Sequence, residues 1–213
     1  RRDFYIDLEI MYYSRLDPHS FIETYQKCLR QNPDGVILVP TTLEVTRQFT
    51  DELHDRNIPF ILLDSYMPSL QPLSFYGQDS IQSGRFAARM LMLIAQKEES
   101  IMLMKQTKDG KMASRQQENR EVGFRHYMEE NFPNIKILEV NLPLDEERKR
   151  YDHILEKFFS EHPEVHHCIT LNSKAHIVGK FLLKTHRHNV QIMGYDVVHK
   201  NADCLREGSI SFL

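Results

Sequence analysis

The stretch "VQIMGYDVVHKNADCLREGSISFL", residues 190–213, decides the architecture. An apolar run ends on a carboxylate, Asp196; a short polar turn and an amphipathic segment follow, and a second apolar run begins after Gly208. A strand covered on both faces reads as a continuous apolar run. Where such a strand gives way to a helix, hydrogen-bonding side chains emerge at the carboxyl edge of the sheet. Gly208 fits the left-handed residue that stops a helix. The stretch therefore reads as strand, helix, strand, with Asp196 at the edge where ligands of open α/β sheets sit.

The same pattern repeats along the chain. Further strands are predicted at 4–13 ("FYIDLEIMYY"), 35–40 ("GVILVP"), 60–64 ("FILLD"), 73–78 ("LSFYGQ"), 101–106 ("IMLMKQ"), 136–142 ("KILEVNL") and 167–172 ("HCITLN"). Most lack clean alternation and are rich in Ile, Leu and Val, as expected for strands covered on both faces.

Helices fill the intervals. Asp17 caps and Pro18 opens a helix that buries Phe21, Ile22, Tyr25, Cys28 and Leu29 at helical spacing. A second, near 43–56, turns Leu43, Phe49 and Leu53 inward. A third, near 80–96, uses Ile81, Gly84, Ala88, Leu91 and Met92, and a fourth, near 114–131, uses Val122, Tyr127 and Met128. The fifth follows Asp145, the sixth follows Asn172, and the last lies near 199–207. Strand, helix, strand at this spacing predicts right-handed crossovers and mostly parallel, doubly wound sheets. The Pro- and Ser-rich "SYMPSLQP", 65–72, marks the boundary between two lobes, 1–78 and 79–213.

Composition narrows the class. The chain has 213 residues, 41% of them hydrophobic and 27% charged, enough for a substantial core and free of the bias that marks disorder. The apolar run "MLMLIA" at 90–95 falls far short of the roughly 18–20 residues that span a bilayer. The start, "RRDFYIDLEIMYY", lacks the apolar centre of a signal peptide. A net charge of −3 argues against this segment gripping nucleic acid by itself. Three widely spaced cysteines read as reduced packing residues. The histidines of "EHPEVHHC", 161–168, have no ligand spacing that points to zinc, so no metal and no cofactor is expected.

The strand ends carry the candidate chemistry. They are Thr41 and Thr42, Asp64 and Ser65, Gln78 and Asp79, Gln106, Asn172 and Ser173, and Tyr195 and Asp196. Each Asp, Asn or Ser is also a preferred helix cap. Together they suit a neutral, hydroxyl-rich ligand, because a carboxylate accepts from two adjacent hydroxyls and an Asn both donates and accepts. No G-x-G-x-x-G or Walker lysine loop supports a nucleotide. No G-x-S-x-G elbow or H-E-x-x-H is present. Asp64, Asp79 and Asp196 are carboxylates that a sugar-cleaving acid–base pair would need, and a binding cleft explains them equally well.

Six segments in order and spacing carry a resemblance: "NPDGVILVPTT" (32–42), "RNIPFILLDS" (56–65), "SFYGQDSIQSGRFAARML" (74–91), "SRQQENREVGFRHYM" (114–128), "CITLNSKAHIVGKFL" (168–182) and "QIMGYDVVHKNADCLREGSISFL" (191–213). The chain resembles the effector-binding part of LacI/GalR-type transcription regulators, in the flavour found in Bacteroides-like bacteria. The resemblance implies the periplasmic-binding-protein-like type I α/β fold, two doubly wound parallel-sheet lobes with a ligand cleft between them. It also implies that the chain is truncated at both ends, lacking a first strand and helix and the return crossing after "SISFL".

Carried over residue by residue, the resemblance assigns Asp196 to the aspartate of a G-[FY]-D pattern that holds ligand hydroxyls, and Arg120 to the arginine of R-x-x-G-F that reaches a sugar oxygen. Asn172 falls at a strand-end asparagine, Asp64 at the aspartate of a D-R pair, and Asp79 at the crossing between lobes. Ser65 stands where an Arg is common and Ser173 where an Asp is frequent, which changes the oxygen pattern that can be recognised. Arg120 also has a plain alternative, a surface helix residue paired with Glu118 or Glu121. The implied function is a cytoplasmic, homodimeric regulator that binds a small polar effector of the carbohydrate class and controls DNA through a helix-turn-helix headpiece outside this chain, with no membrane partner. The helix at 80–96 is expected in the dimer contact. The alternatives are an exported sugar receptor for a transporter or sensor kinase and, less well supported, an enzyme acting on a glycoside or nucleoside.

Overall fold

The computed structural model describes residues 5–14, 17–95, 98–108, 111–112, 114–144 and 148–213. The chain divides into two compact units, residues 1–78 and 79–213.

In the first unit, helices α1 (Pro18–Arg30) and α2 (Leu43–Asp55) alternate with strands β1 (Val36–Leu38), β2 (Phe60–Leu63) and β3 (Ser74–Tyr76). Asp17 caps α1 by accepting the backbone N–H of His19 at 2.9 Å. Pro18 opens the helix, and Lys27 and Arg30 sit in its last turn, where cations complement the helix dipole. The strands form a parallel sheet in the order β1-β2-β3. One face of this sheet packs Leu38, Phe60 and Leu62 against Phe21, Tyr25, Leu29, Phe49 and Leu53 of the helices.

The other face runs through Ile37, Leu63 and Tyr76. Ile37 is 63% exposed and Tyr76 is 60% exposed, so the expectation of cover on both faces fails for this sheet. The strand expected at 4–13 is likewise absent from its described part, since residues 5–14 form no strand. Alternation gives a segment strand propensity, but a strand also needs a neighbour for its backbone groups, and the sheet order supplies none there. The segment is tied down at its end instead. The Tyr13 hydroxyl donates to the Val39 carbonyl, and its ring meets Phe21 edge-on with centroids 4.8 Å apart.

The second unit contains α3 (Ser80–Met92), β4 (Ser100–Lys108), β5 (Lys111–Met112), α4 (Arg115–Asn131), β6 (Lys136–Pro143), α5 (Arg148–Glu161), β7 (His167–Thr170), α6 (Ala175–Lys184), β8 (Gln191–Met193) and α7 (His199–Arg206). Strands β6, β4, β7 and β8 are parallel neighbours in that order, and β5 turns back antiparallel on the end of β4. The run "SISFL" contributes one parallel bridge, Phe212 to Met193, in place of a full strand. The expected cap of α5, Asp145, lies outside the described residues, as does Gln96 at the expected end of α3.

Strand β4 shows why the sheet is doubly wound. Ile101 and Leu103 face a core with Ala88, Leu91, Phe124 and Met128 from α3 and α4. Met102 and Met104 face a second core with Leu155, Phe159, Val178, Phe181 and Cys204 from α5, α6 and α7. Leu43, Ile81 and Val122, expected inward, are instead exposed. Leu43 and Ile81 belong to first helical turns, and on α4 the inner face holds Gln117, Arg120, Phe124 and Met128. Helices α3 and α4 cross at two glycines. A Cβ on Gly84 would lie 1.9 Å from the Arg120 carbonyl oxygen, and one on Gly123 would lie 1.9 Å from that of Ile81.

Candidate functional site

The carboxyl ends of β7 and β8 gather a polar cluster within the second unit. Arg120 comes to it from α4. Its side chain is 5% exposed, which replaces the alternative of a surface residue paired with Glu118 or Glu121. The Gly84–Gly123 crossing presses its backbone against α3. One guanidinium nitrogen, Nη1, donates to the Leu171 carbonyl at 3.1 Å, and Cζ stands 4.0 Å from the centroid of the Tyr195 ring. A cation over an aromatic face is attracted by the ring quadrupole, more so when desolvated.

Tyr195 is held in turn from α3. Its hydroxyl donates to the Ser83 carbonyl at 2.8 Å and lies 3.0 Å from Ser83 Oγ, which donates to it. Burial pushes the phenol above its ordinary range, while the Ser83 hydrogen bond and Arg120 pull the other way. The phenol is therefore a neutral donor at physiological pH.

Asn172 ends β7. Its amide Nδ2 donates to Gln117 Oε1, and its Oδ1 accepts the Lys174 backbone N–H at 2.9 Å. Gln117, buried on α4, donates to the Gln106 carbonyl at 3.1 Å. Its amide orientation is fixed at that end, so its oxygen faces Asn172. In these contacts the Asn172 side chain uses one of its two N–H donors and one of the two lone pairs on its oxygen, so it has capacity both to donate and to accept.

Asp196 follows Tyr195 with a left-handed backbone, φ 65°, and its side chain is exposed. Asp and Asn tolerate this conformation better than most residues. Asn201, on the first turn of α7, is fully buried. Its Nδ2 lies 3.2, 2.9 and 3.0 Å from the carbonyls of Ser173, Tyr195 and Asp196. Its Oδ1 accepts the His176 backbone N–H at 3.0 Å and lies 2.9 Å from His176 Nδ1. Burial lowers the affinity of the His176 ring for a proton, the Asn201 contact opposes that, and Lys174, Lys200 and Lys180 reinforce it.

Of the residues expected from sequence, Arg120, Asn172 and Asp196 are thus linked through Tyr195, Gln117, Leu171 and Asn201. Asp79 caps α3, its Oδ1 accepting the backbone N–H groups of Ile81 and Gln82 at 3.0 Å each. This is the bland role open to it. Asp64 and Ser65 belong to the first unit, directly after β2. Asp64 is exposed with φ 71°, the same left-handed form as Asp196, and its N–H donates to the Tyr76 carbonyl at 2.9 Å.

Sequence reading missed Ser83, Gln117, His176 and Asn201. The available signal was a polar residue on the inner stripe of a helix: Gln117 lies three residues before Arg120, and Asn201 three before buried Cys204. Among the described residues no three His, Cys, Asp or Glu side chains gather to hold a metal. His166 and His167 instead face Glu98, with Nδ1–Oε distances of 3.7 and 3.1 Å. The three cysteines are free thiols, and burial pushes all three thiols upward. No described helix is long and apolar enough to cross a membrane.

These features define an α/β protein with parallel sheets in two units and a polar cluster at the carboxyl edge of one of them. A family model described as a periplasmic binding protein domain matches residues 2–213, and the chain belongs to that family. Among solved structures, a protein described as a LacI transcriptional regulator from Bacteroides fragilis is 43% identical with a TM-score of 0.87, over 95% of this chain and 69% of that one. The sugar-binding protein of a sugar ABC transporter from Bacillus halodurans is 19% identical with a TM-score of 0.79, over 91% of this chain and 66% of that one. A solute-binding protein from Burkholderia graminis, in complex with D-arabinose, is 14% identical with a TM-score of 0.77, over 91% of this chain and 67% of that one. The chain thus spans about two thirds of each of these three structures. No curated protein matches it.

Proposed function

We propose that the chain is the effector-binding part of a cytoplasmic, homodimeric LacI-type transcription regulator, with the units 1–78 and 79–213 as its two lobes and a sugar as its effector. The observation that carries the ligand class is the juxtaposition of a buried cation and an exposed carboxylate on one sheet edge. Arg120 and the second N–H of Asn172 donate to ligand oxygens, and Asp196 accepts from a pair of hydroxyls. Donors and an acceptor side by side suit a neutral polyol better than an anion or an apolar molecule. Asp64, Ser65 and Asp79 are assigned to the same ligand from the sequence pattern. The bound D-arabinose of the Burkholderia protein accords with this chemistry. The reading is of binding without turnover.

The regulator assignment rests on the 43% identity to the Bacteroides fragilis protein. DNA binding is assigned to a headpiece outside residues 1–213, because a net charge of −3 gives this segment no electrostatic hold on phosphates. The effector then changes DNA affinity only by its different affinity for two arrangements of the protein. The transporter proteins among the structural neighbours favour the second reading, an exported sugar receptor.

The test is to present fragmented genomic DNA to the full-length protein and add pentoses and hexoses one at a time. The regulator reading expects selective retention of a few fragments and an altered retention with one sugar. A full-length protein that binds a sugar and retains no DNA under either condition supports the receptor.

A further inference from the structure

Asn201 is buried away from solvent, and both ends of its side-chain amide are engaged. Its amide nitrogen meets carbonyls from two different loops, Ser173 after β7 and Tyr195 and Asp196 after β8, at 2.9–3.2 Å. Its oxygen meets both the backbone N–H and the ring Nδ1 of His176 at the start of α6. One side chain therefore joins the loop that carries Asn172, the loop that carries Asp196, and the helix between them. Asp196 has a left-handed φ of 65°, and its carbonyl is one of the three that the Asn201 amide meets.

We propose that Asn201 is a positioning residue for the ligand site, locking the β7–α6 and β8–α7 loops so that Asn172 and Asp196 are held in binding geometry. The proposal rests on the functional reading above and deepens it: Asn201 touches no ligand, and part of the affinity depends on it. A neutral amide is the required chemistry. It donates to carbonyls while accepting from His176, and neither a carboxylate nor a short hydroxyl does both across this distance. The groups facing His176 are Lys174 and Lys180 on the α6 side and Lys200 beside Asn201 on α7. Among the described residues the charged groups acting on His176 are these three cations, none of which can take the accepting role of the Asn201 oxygen.

The test uses full-length wild type, Asn201→Asp and Asn201→Ser, each below its thermal transition, titrated with common pentoses and hexoses, D-arabinose included. An ionised carboxylate in Asn201→Asp faces three carbonyl oxygens and repels them; protonation restores one donor. Its affinity relative to wild type is expected to fall about tenfold or more at neutral pH and to recover as the pH is lowered, because a buried polar group left mispaired costs affinity steeply. Asn201→Ser is expected to be weak at every pH. Both variants binding within about twofold of wild type, whatever happens to the melting temperature, overturns the proposal.

If wild type binds none of the sugars, the functional reading fails separately, and amide hydrogen exchange decides this one. Faster exchange confined to peptides covering 170–176 and 194–198 in both variants supports the lock. Unchanged exchange there, or a uniform increase across the unit, overturns it.

Discussion

The Arg120 guanidinium carbon lies 4.0 Å from the centroid of the Tyr195 ring, and the ring hydroxyl is pinned to Ser83 by two hydrogen bonds. Cation, ring and helix α3 thus form one stack, in which the ring face holds the charge and the hydroxyl holds the ring.

That division of labour predicts different outcomes at one position. Tyr195→Phe keeps the ring face and is expected to leave ligand affinity within about twofold, while costing about 1 kcal/mol of stability for the lost hydrogen bonds. Tyr195→Leu removes the face and is expected to weaken binding by about tenfold, since a desolvated cation–π contact is worth on the order of 1–2 kcal/mol. Calorimetric titration and thermal unfolding of both variants check the split. Equal loss of affinity in both would assign the effect to the hydroxyl.

Asp196 is exposed and left-handed, so its substitution separates conformation from chemistry. Asp196→Asn retains tolerance of that backbone and loses the charge; it is expected to abolish most ligand binding with a nearly unchanged melting temperature. Asp196→Ala is expected to lose binding as well and to cost a further ~1 kcal/mol from the backbone. If the Asn variant unfolds early and still binds when folded, the residue serves the fold.

Two glycines are expected to fail for opposite reasons. Gly84→Ala places a methyl 1.9 Å from the Arg120 carbonyl oxygen, so α3 and α4 must separate, at a cost of about 1–3 kcal/mol and with Arg120 displaced. Gly208→Ala meets open space but keeps φ at 77°, which costs about 1 kcal/mol and leaves the ligand site untouched. Denaturant midpoints together with ligand titration distinguish the two: only Gly84→Ala is expected to lower both.

His176 ties the site to pH. Burial, first of all, holds its folded-state proton affinity below the ordinary value. The unfolded chain therefore takes up the proton first as pH falls through about 6.5. The resulting stability is fully present above that value and declines as pH drops toward the lower folded-state value. Melting temperatures between about pH 7.5 and about pH 5.5 are expected to fall more steeply for wild type than for His176→Gln. Parallel slopes would remove His176 from the account.

Much of this architecture was legible in residues 190–213 and their counterparts, because buried parallel strands and amphipathic helices write their packing into hydrophobic order. Asp17, Pro18 and Gly208 marked their helix ends for equally local reasons. Residues 4–13 misled because alternation describes one strand, while pairing depends on a neighbour that periodicity does not contain. The inner face of α4 misled because Gln117 and Arg120 occupy it: a helix that turns polar groups inward looks, by hydrophobicity alone, as though it were rotated, and Val122 was drawn to the wrong side. The candidate site was legible as strand ends and, for Arg120, through the R-x-x-G-F resemblance. Arg120, Asn172 and Asp196 lie far apart in sequence, and the residues that join them, Ser83, Gln117 and Asn201, carry no motif of their own.

The most direct measurement is the heat released when common monosaccharides are titrated into the full-length protein and into Arg120→Met, which keeps much of the side chain's bulk and removes its donors. Saturable binding of at least one sugar to wild type is expected, with its loss, by about a hundredfold or more, in the variant, because a charged hydrogen bond to the ligand is removed and polar groups are left unpaired. Undiminished binding by Arg120→Met, or no sugar bound by wild type, would contradict this.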